Sequence, residues 1–114
     1  MTELDSAVEI IKSIADKNRL RIALMLNKRP MCVCELDSVL GIALSTISAH
    51  LKQMRSAGVI TAEKDGRWVI YRISDDSSIR MIVNSLALQL ADDKQIIKDY
   101  DDIAELARED CAKK

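Results

Sequence analysis

The chain has 114 residues, enough for one hydrophobic core and short of two. Its 17 Lys/Arg against 18 Asp/Glu leave a formal charge of −1, and its three cysteines are an odd number, which argues for free thiols in a reducing compartment and against a closed disulfide framework. No apolar stretch approaches membrane-spanning length, and the start, with Glu3 and Asp5, lacks a signal-peptide layout; a cytoplasmic protein with no membrane partner is expected.

The near-neutral total hides an asymmetry. Residues 1–74 hold 11 Lys/Arg and 8 Asp/Glu, whereas residues 75–114 hold 6 and 10. A phosphate backbone is bound by a local patch, so the acidic rear does not exclude nucleic acid. With no Phe, one Trp and one Pro, the composition is that of a mainly α protein.

Leu4, Ala7, Val8, Ile11, Ile14 and Ala15 recur at helical spacing and predict a helix over 3–15. Asp16 is placed to cap a second helix, apolar almost all round (Leu20, Ile22, Ala23, Leu24, Met25, Leu26) and so central to the core. Pro30 ends it near Lys28 or Arg29. A short helix follows over about 34–40, stopped by Gly41. After Ile42-Ala43-Leu44, Ser45 is expected to cap a helix over 46–57, with Ile47, Leu51 and Met54 inward and Thr46, Ala49, His50 and Gln53 outward. Two helices joined by a tight turn make a helix-turn-helix.

The runs 59–64 and 67–73 flank Asp65-Gly66, a strong hairpin signal. A hairpin directly after a helix-turn-helix is the wing of a winged helix. Asp75 or Asp76 caps a helix of about 77–92, whose Ile79, Ile82, Val83, Leu86 and Leu90 pack on the core or on a second copy. Residues 94–110 continue helical, with a bend near Asp92-Asp93. The whole chain, 1–114, thus reads as one winged helix-turn-helix domain: recognition helix about 45–57, wing about 59–73, C-terminal dimerisation helices about 77–110.

In such a module Ser45, Thr46, Ser48, His50 and Gln53 face a DNA groove, Lys52 and Arg55 reach phosphates, and Lys64 and Arg67 flank the wing tip. Taken singly, each of these residues reads better as a solvated surface position, while His50 reads equally as a groove contact or a partly buried helix-turn neighbour. The ensemble carries the reading. No base pairs with a nucleophile and no Gly-rich phosphate loop exists, so an enzyme is not expected.

Cys32 and Cys34 stand one residue apart just before the helix-turn-helix. Two thiolates so placed can chelate a soft, thiophilic ion. Residues i and i+2 lie about 200° apart around an α-helix. Both sulfurs can therefore face one ion only where the start of the 34–40 helix is non-helical. A helix N-terminus is also expected to lower the thiol pKa.

The stretches 14–22, Cys32-Val33-Cys34-Glu35-Leu36, Ser45-Thr46-Ile47-Ser48-Ala49-His50-Leu51, 51–58 and Gly66-Arg67-Trp68-Val69-Ile70-Tyr71-Arg72 resemble the ArsR/SmtB family of metal- and metalloid-responsive winged-helix repressors over essentially the whole chain. The Cys-Val-Cys-acid-Leu signature resembles its arsenic- and antimony-sensing branch. The resemblance implies a homodimer, joined through its first and last helices, that binds operator double-stranded DNA and leaves it when As(III) or Sb(III) binds, with no organic cofactor. Two departures stand out. Asp37 occupies the position where that branch typically places a third cysteine, and with His50 the only histidine a zinc site on the helix before the C-terminus is not expected.

Trivalent arsenic prefers three thiolates, and the only remaining sulfur of that kind is Cys111, expected to complete the site with Cys32 and Cys34 from its own or the partner subunit. Three alternatives stay open: a Cd(II) or Pb(II) sensor on the same thiolates, a redox sensor pairing Cys32 with Cys34 or one of them with Cys111, and a winged helix for protein contacts alone.

Overall fold

The computed structural model describes residues 3–106. Among them run α1 (Leu4–Ile14), α2 (Lys17–Lys28), β1 (Met31–Cys32), α3 (Val33–Leu40), α4 (Leu44–Ser56), β2 (Ile60–Asp65), β3 (Trp68–Ile73), α5 (Ser77–Gln89) and α6 (Lys94–Ala104). This is a winged helix-turn-helix, with α3 and α4 as the helix pair and β2–β3 as the wing.

The second helix sits at the centre. Ile22, Ala23, Leu24, Met25 and Leu26 are all buried, and α2 touches α1, α4, α5, α6 and β3. Asp16 begins it as expected, its carboxylate accepting from Asn18 N–H at 3.0 Å and Arg19 N–H at 3.1 Å. These hydrogen bonds hold the Asp16 carboxyl below the usual carboxylate range. Arg29 leaves the helix in an extended conformation (φ −165°, ψ 158°), as the residue before a proline must.

Extended backbone persists for two more residues and becomes a strand. Met31 pairs with Tyr71 and Cys32 with Ile70, so the sheet has three antiparallel strands in the order β1-β3-β2 rather than the expected hairpin alone. Wing register runs from Ile60↔Ile73 to Asp65↔Trp68, which makes Gly66-Arg67 the two-residue turn, one place beyond the expected Asp65-Gly66. Gly66 adopts φ +64°, a conformation with little penalty only for glycine.

Three helix boundaries differ from expectation. α3 starts at Val33, with Cys32 as N-cap, and ends at Gly41 (φ 63°) as expected. α4 starts at Leu44 with Ala43 as N-cap. Ser45 is therefore not the cap but an exposed residue inside the first turn. The C-terminal helical stretch breaks at 90–93, where Asp93 caps α6 by accepting from Gln95 N–H (2.9 Å) and Ile96 N–H (3.1 Å). The part of the expected 94–110 helix beyond 106 lies outside the described residues.

That break lets α6 fold back. Its inner stripe, Ile96, Asp99 and Ile103, packs against α2 and α3. The Asp99 carboxylate is 1% exposed and accepts from Arg21 Nε and Nη2, both at 2.9 Å, and from Gln95 Nε2 at 2.9 Å. The same hydrogen bonds push the Arg21 pKa up. Apolar side chains left in solvent cluster on α1 (Leu4, Val8, Ile11) and α5 (Met81, Leu88), with Leu44 on α4, Val69 on β3 and Ile97 on α6 standing singly. Ile11, Ile14, Ala15, Leu20, Met81, Ile82 and Leu86 line an apolar groove between these two helices. Most of the open apolar surface is thus on α1 and α5, while α6 turns Ile96 and Ile103 inward and leaves Ile97 in solvent.

Breaking a buried ion pair from one side strands the other charge. Asp99→Ala is expected to cost about 3 kcal/mol, read as a lower urea midpoint, whereas Lys98→Ala, which removes only the exposed pair with Asp102, should leave that midpoint nearly unchanged.

Candidate thiol site and nucleic-acid interface

Cys32 holds two structural roles at once. It is the last residue of β1, paired with Ile70 of the wing strand β3, and the N-cap of α3, the first helix of the helix-turn-helix. Glu35, at the third position of α3, completes a capping box: its Oε1 accepts from the Cys32 N–H at 3.0 Å. The Glu35 side chain is 1% exposed, and its Oε2 accepts from Arg29 Nη1 at 2.9 Å. Arg29 Nη2 in turn donates to the Ile103 carbonyl at 3.1 Å, at the end of α6, with the Leu106 carbonyl at 3.5 Å. A continuous line of hydrogen bonds therefore joins the Cys32 backbone to the end of α6. Neither Glu35 nor Arg29 was singled out by sequence reasoning. The spacing of Cys32 and Glu35 is a capping-box signal, masked because cysteine is an unusual cap.

The Cys32 thiol is buried, and burial pushes its pKa up, against the lowering expected from a helix N-terminus. Loss of water around the thiolate outweighs the hydrogen bond from the Glu35 N–H, and the Glu35 carboxylate adds to the rise. Cys34 lies half-buried in the first turn of α3. It is disulfide-bonded, and its partner is not Cys32, which is free. The strand-to-helix boundary falls between the two cysteines, so one is extended and the other helical. Asp37 stands half-buried one turn further along α3. Among the described residues no three His, Cys, Asp or Glu side chains gather as an ion site. Cys111, the expected third sulfur, lies outside the described residues. With Cys34 in a disulfide, the junction offers one free thiol, Cys32, and a second sulfur only after reduction.

The fourth helix presents Ser45, Thr46, Ser48, Lys52, Gln53 and Arg55 to solvent, with Ile47, Leu51 and Met54 buried beneath. His50 departs from the outward set. Its side chain is 14% exposed, with Nδ1 3.3 Å from Arg19 Nη1 and Nε2 3.8 Å from Asp16 Oδ2. A guanidinium can only donate, so Nδ1 accepts and the ring's proton sits on Nε2, toward Asp16. Arg19 is itself anchored by the Ser13 carbonyl at 2.8 Å. His50 thus ties α4 to the turn between α1 and α2. At the wing, Lys64 and Arg67 are exposed near the tip, and the Arg67 guanidinium lies over the Trp68 ring at 5.1 Å.

A helix-turn-helix with a polar, cationic outer face and a β-wing defines a DNA-binding class of regulator. The family model "Bacterial regulatory protein, arsR family" matches residues 16–62. The chain is 36% identical over 84 residues to the HTH-type transcriptional repressor SmtB of Mycobacterium tuberculosis, a match covering 74% of this chain and 62% of that protein. It is 38% identical over 68 residues to the arsenical resistance operon repressor of Escherichia coli, covering 59% of this chain and 58% of that one. The match thus spans about three fifths of these relatives' length. Among solved structures, the homodimeric winged helix-turn-helix DNA-binding domain Mb0332 of Mycobacterium bovis superposes with a TM-score of 0.68 at 28% identity, over 78% of this chain and 81% of that one. The chain belongs to the ArsR/SmtB family of transcriptional regulators. Among the described residues no helix is long and apolar enough to cross a membrane.

A buried thiol with a raised pKa is mostly protonated at neutral pH and reacts slowly. In a Cys34→Ser/Cys111→Ser variant, alkylation of Cys32 by iodoacetamide should be slower at pH 7 than that of a free thiol. Its rate should keep rising with pH beyond the range where ordinary thiols level off.

Proposed function

We propose that this chain is a homodimeric repressor that binds operator double-stranded DNA through α4 and the wing and releases it when As(III) or Sb(III) binds thiolates at the β1–α3 junction. One observation carries the reading: Cys32 caps the first helix of the DNA-reading pair and pairs with the wing strand, so a ligand that moves its backbone acts on both DNA-contacting elements. Cys32 and Cys34 supply two sulfurs and Cys111 the third. The relatives named as a transcriptional repressor and as an arsenical-resistance repressor support the class and the ion.

Ser45, Thr46, Ser48 and Gln53 face the groove, Lys52, Arg55, Lys64 and Arg67 the phosphates, and His50 acts from behind by setting the angle of α4 against α2. The dimer forms through the exposed apolar surface of α1 and α5. Release needs the ligand to favour the DNA-free state by a coupling of about 1–3 kcal/mol.

The disulfide state of Cys34 favours a second reading on the same scaffold, a redox sensor in which Cys34 and Cys111 are the reactive pair and Cys32 a structural cap. Cd(II) or Pb(II) on the same thiolates is a third. A duplex selected by the protein from a random library, titrated in turn with arsenite, antimonite, cadmium, lead and peroxide, separates them. The arsenite reading expects release by arsenite under reducing conditions and its loss in Cys32→Ser. Cys111→Ser should weaken the arsenite response by about tenfold or more. Release by peroxide alone, surviving Cys32→Ser and abolished by Cys34→Ser, would replace it with the redox reading.

A further inference from the structure

The first residue of the recognition helix is a leucine in solvent. Leu44 is 56% exposed, although it opens a helix whose packing is complete without it: Ile47, Leu51 and Met54 carry the buried stripe. Its exposed neighbours on α4 are small, Ser45, Ser48 and Ala49, so the isobutyl group stands clear of them. The helix from Leu44 to Ser56 contains no carboxylate and carries Lys52 and Arg55 on exposed positions. This charge favours a polyanion over a protein partner for that face. The end of a recognition helix that enters the major groove is its N-terminal one, and the apolar group a base edge offers there is the C5-methyl of thymine.

We propose that Leu44 is a base-reading residue that packs on a thymine methyl in each operator half-site, making thymine at that position a specificity determinant. The proposal rests on the DNA-binding reading above. Ser45 and Ser48 beside it can bond several bases and discriminate poorly. An apolar contact rejects bases that lack the methyl and leave Leu44 against a polar edge. A buried methyl contributes about 0.8 kcal/mol, or about fourfold in affinity.

The test uses the full chain and duplexes selected from a random library by wild type. Each selected thymine is replaced in turn by deoxyuridine, which removes only the methyl group. At one position per half-site this should weaken wild-type binding by about fourfold and leave Leu44→Ala unaffected. Thermal melts of Leu44→Ala and its retained affinity for non-specific DNA guard against a folding defect. Deoxyuridine without effect at every position, or an equal effect on Leu44→Ala, would overturn the proposal. Failure to select any duplex would instead overturn the DNA-binding reading, and this inference with it.

Discussion

The backbone of Cys32 is the point on which the junction between wing and helix-turn-helix turns. It ends the strand because Val33 begins a helix, and as N-cap its amide has no partner in the helical ladder. The Glu35 carboxylate solves this by reaching back to that amide at 3.0 Å. A carboxylate buried to 1% exposure needs a counter-charge, and Arg29 supplies it. The conformation of one junction residue is therefore held by an ion pair whose far side rests on α6. Chemistry at the sulfur of Cys32 acts directly on a residue that both the wing and the helix-turn-helix share.

Arginines from α2 and its end tie α6 to the core beside its apolar stripe. Arg21 grips Asp99 in two parallel bonds, and Arg29 reaches the carbonyls at the helix end, where a cation also suits the helix dipole. Both arginines are partly shielded, so these contacts are less exposed to salt screening than the surface pairs such as Arg72–Glu63. The acidic rear of the sequence is thus only partly a solvated surface. One of its carboxylates is a packing residue, and the net charge of that segment overstates how much negative field the molecule presents.

Much of the fold could be read from the sequence because its elements are long and punctuated. The apolar run of α2, the cap Asp16, the cap at Asp75 or Asp76, and Gly41 each follow from local rules that tertiary context did not override, whereas Asp93 reads only as part of a bend and not as a cap. The strand β1 could not be read: two residues carry no periodicity, and its existence depends on where β3 lies. Ser45 looked like a cap because serine usually is one, yet the chain turned at Ala43 and left the hydroxyl exposed. Of the two readings open for His50, the packing favours the helix-turn neighbour over the groove contact. Helical phase gives a direction on α4, but only the packing of α1 and α2 decides whether that direction is solvent. The raised Cys32 pKa needed burial, which spacing cannot supply. Leu44 was passed over as a linker residue, its exposure visible only once the helix start was known.

If the junction transmits ligand binding to the DNA-reading surface, the two events must be linked in both directions, since coupling free energies are reciprocal. Arsenite affinity should therefore be measured on the reduced protein alone and on the protein saturated with its selected duplex. DNA is then expected to weaken arsenite binding by the same factor by which arsenite weakens DNA binding. Equal arsenite affinity in the two states would contradict it.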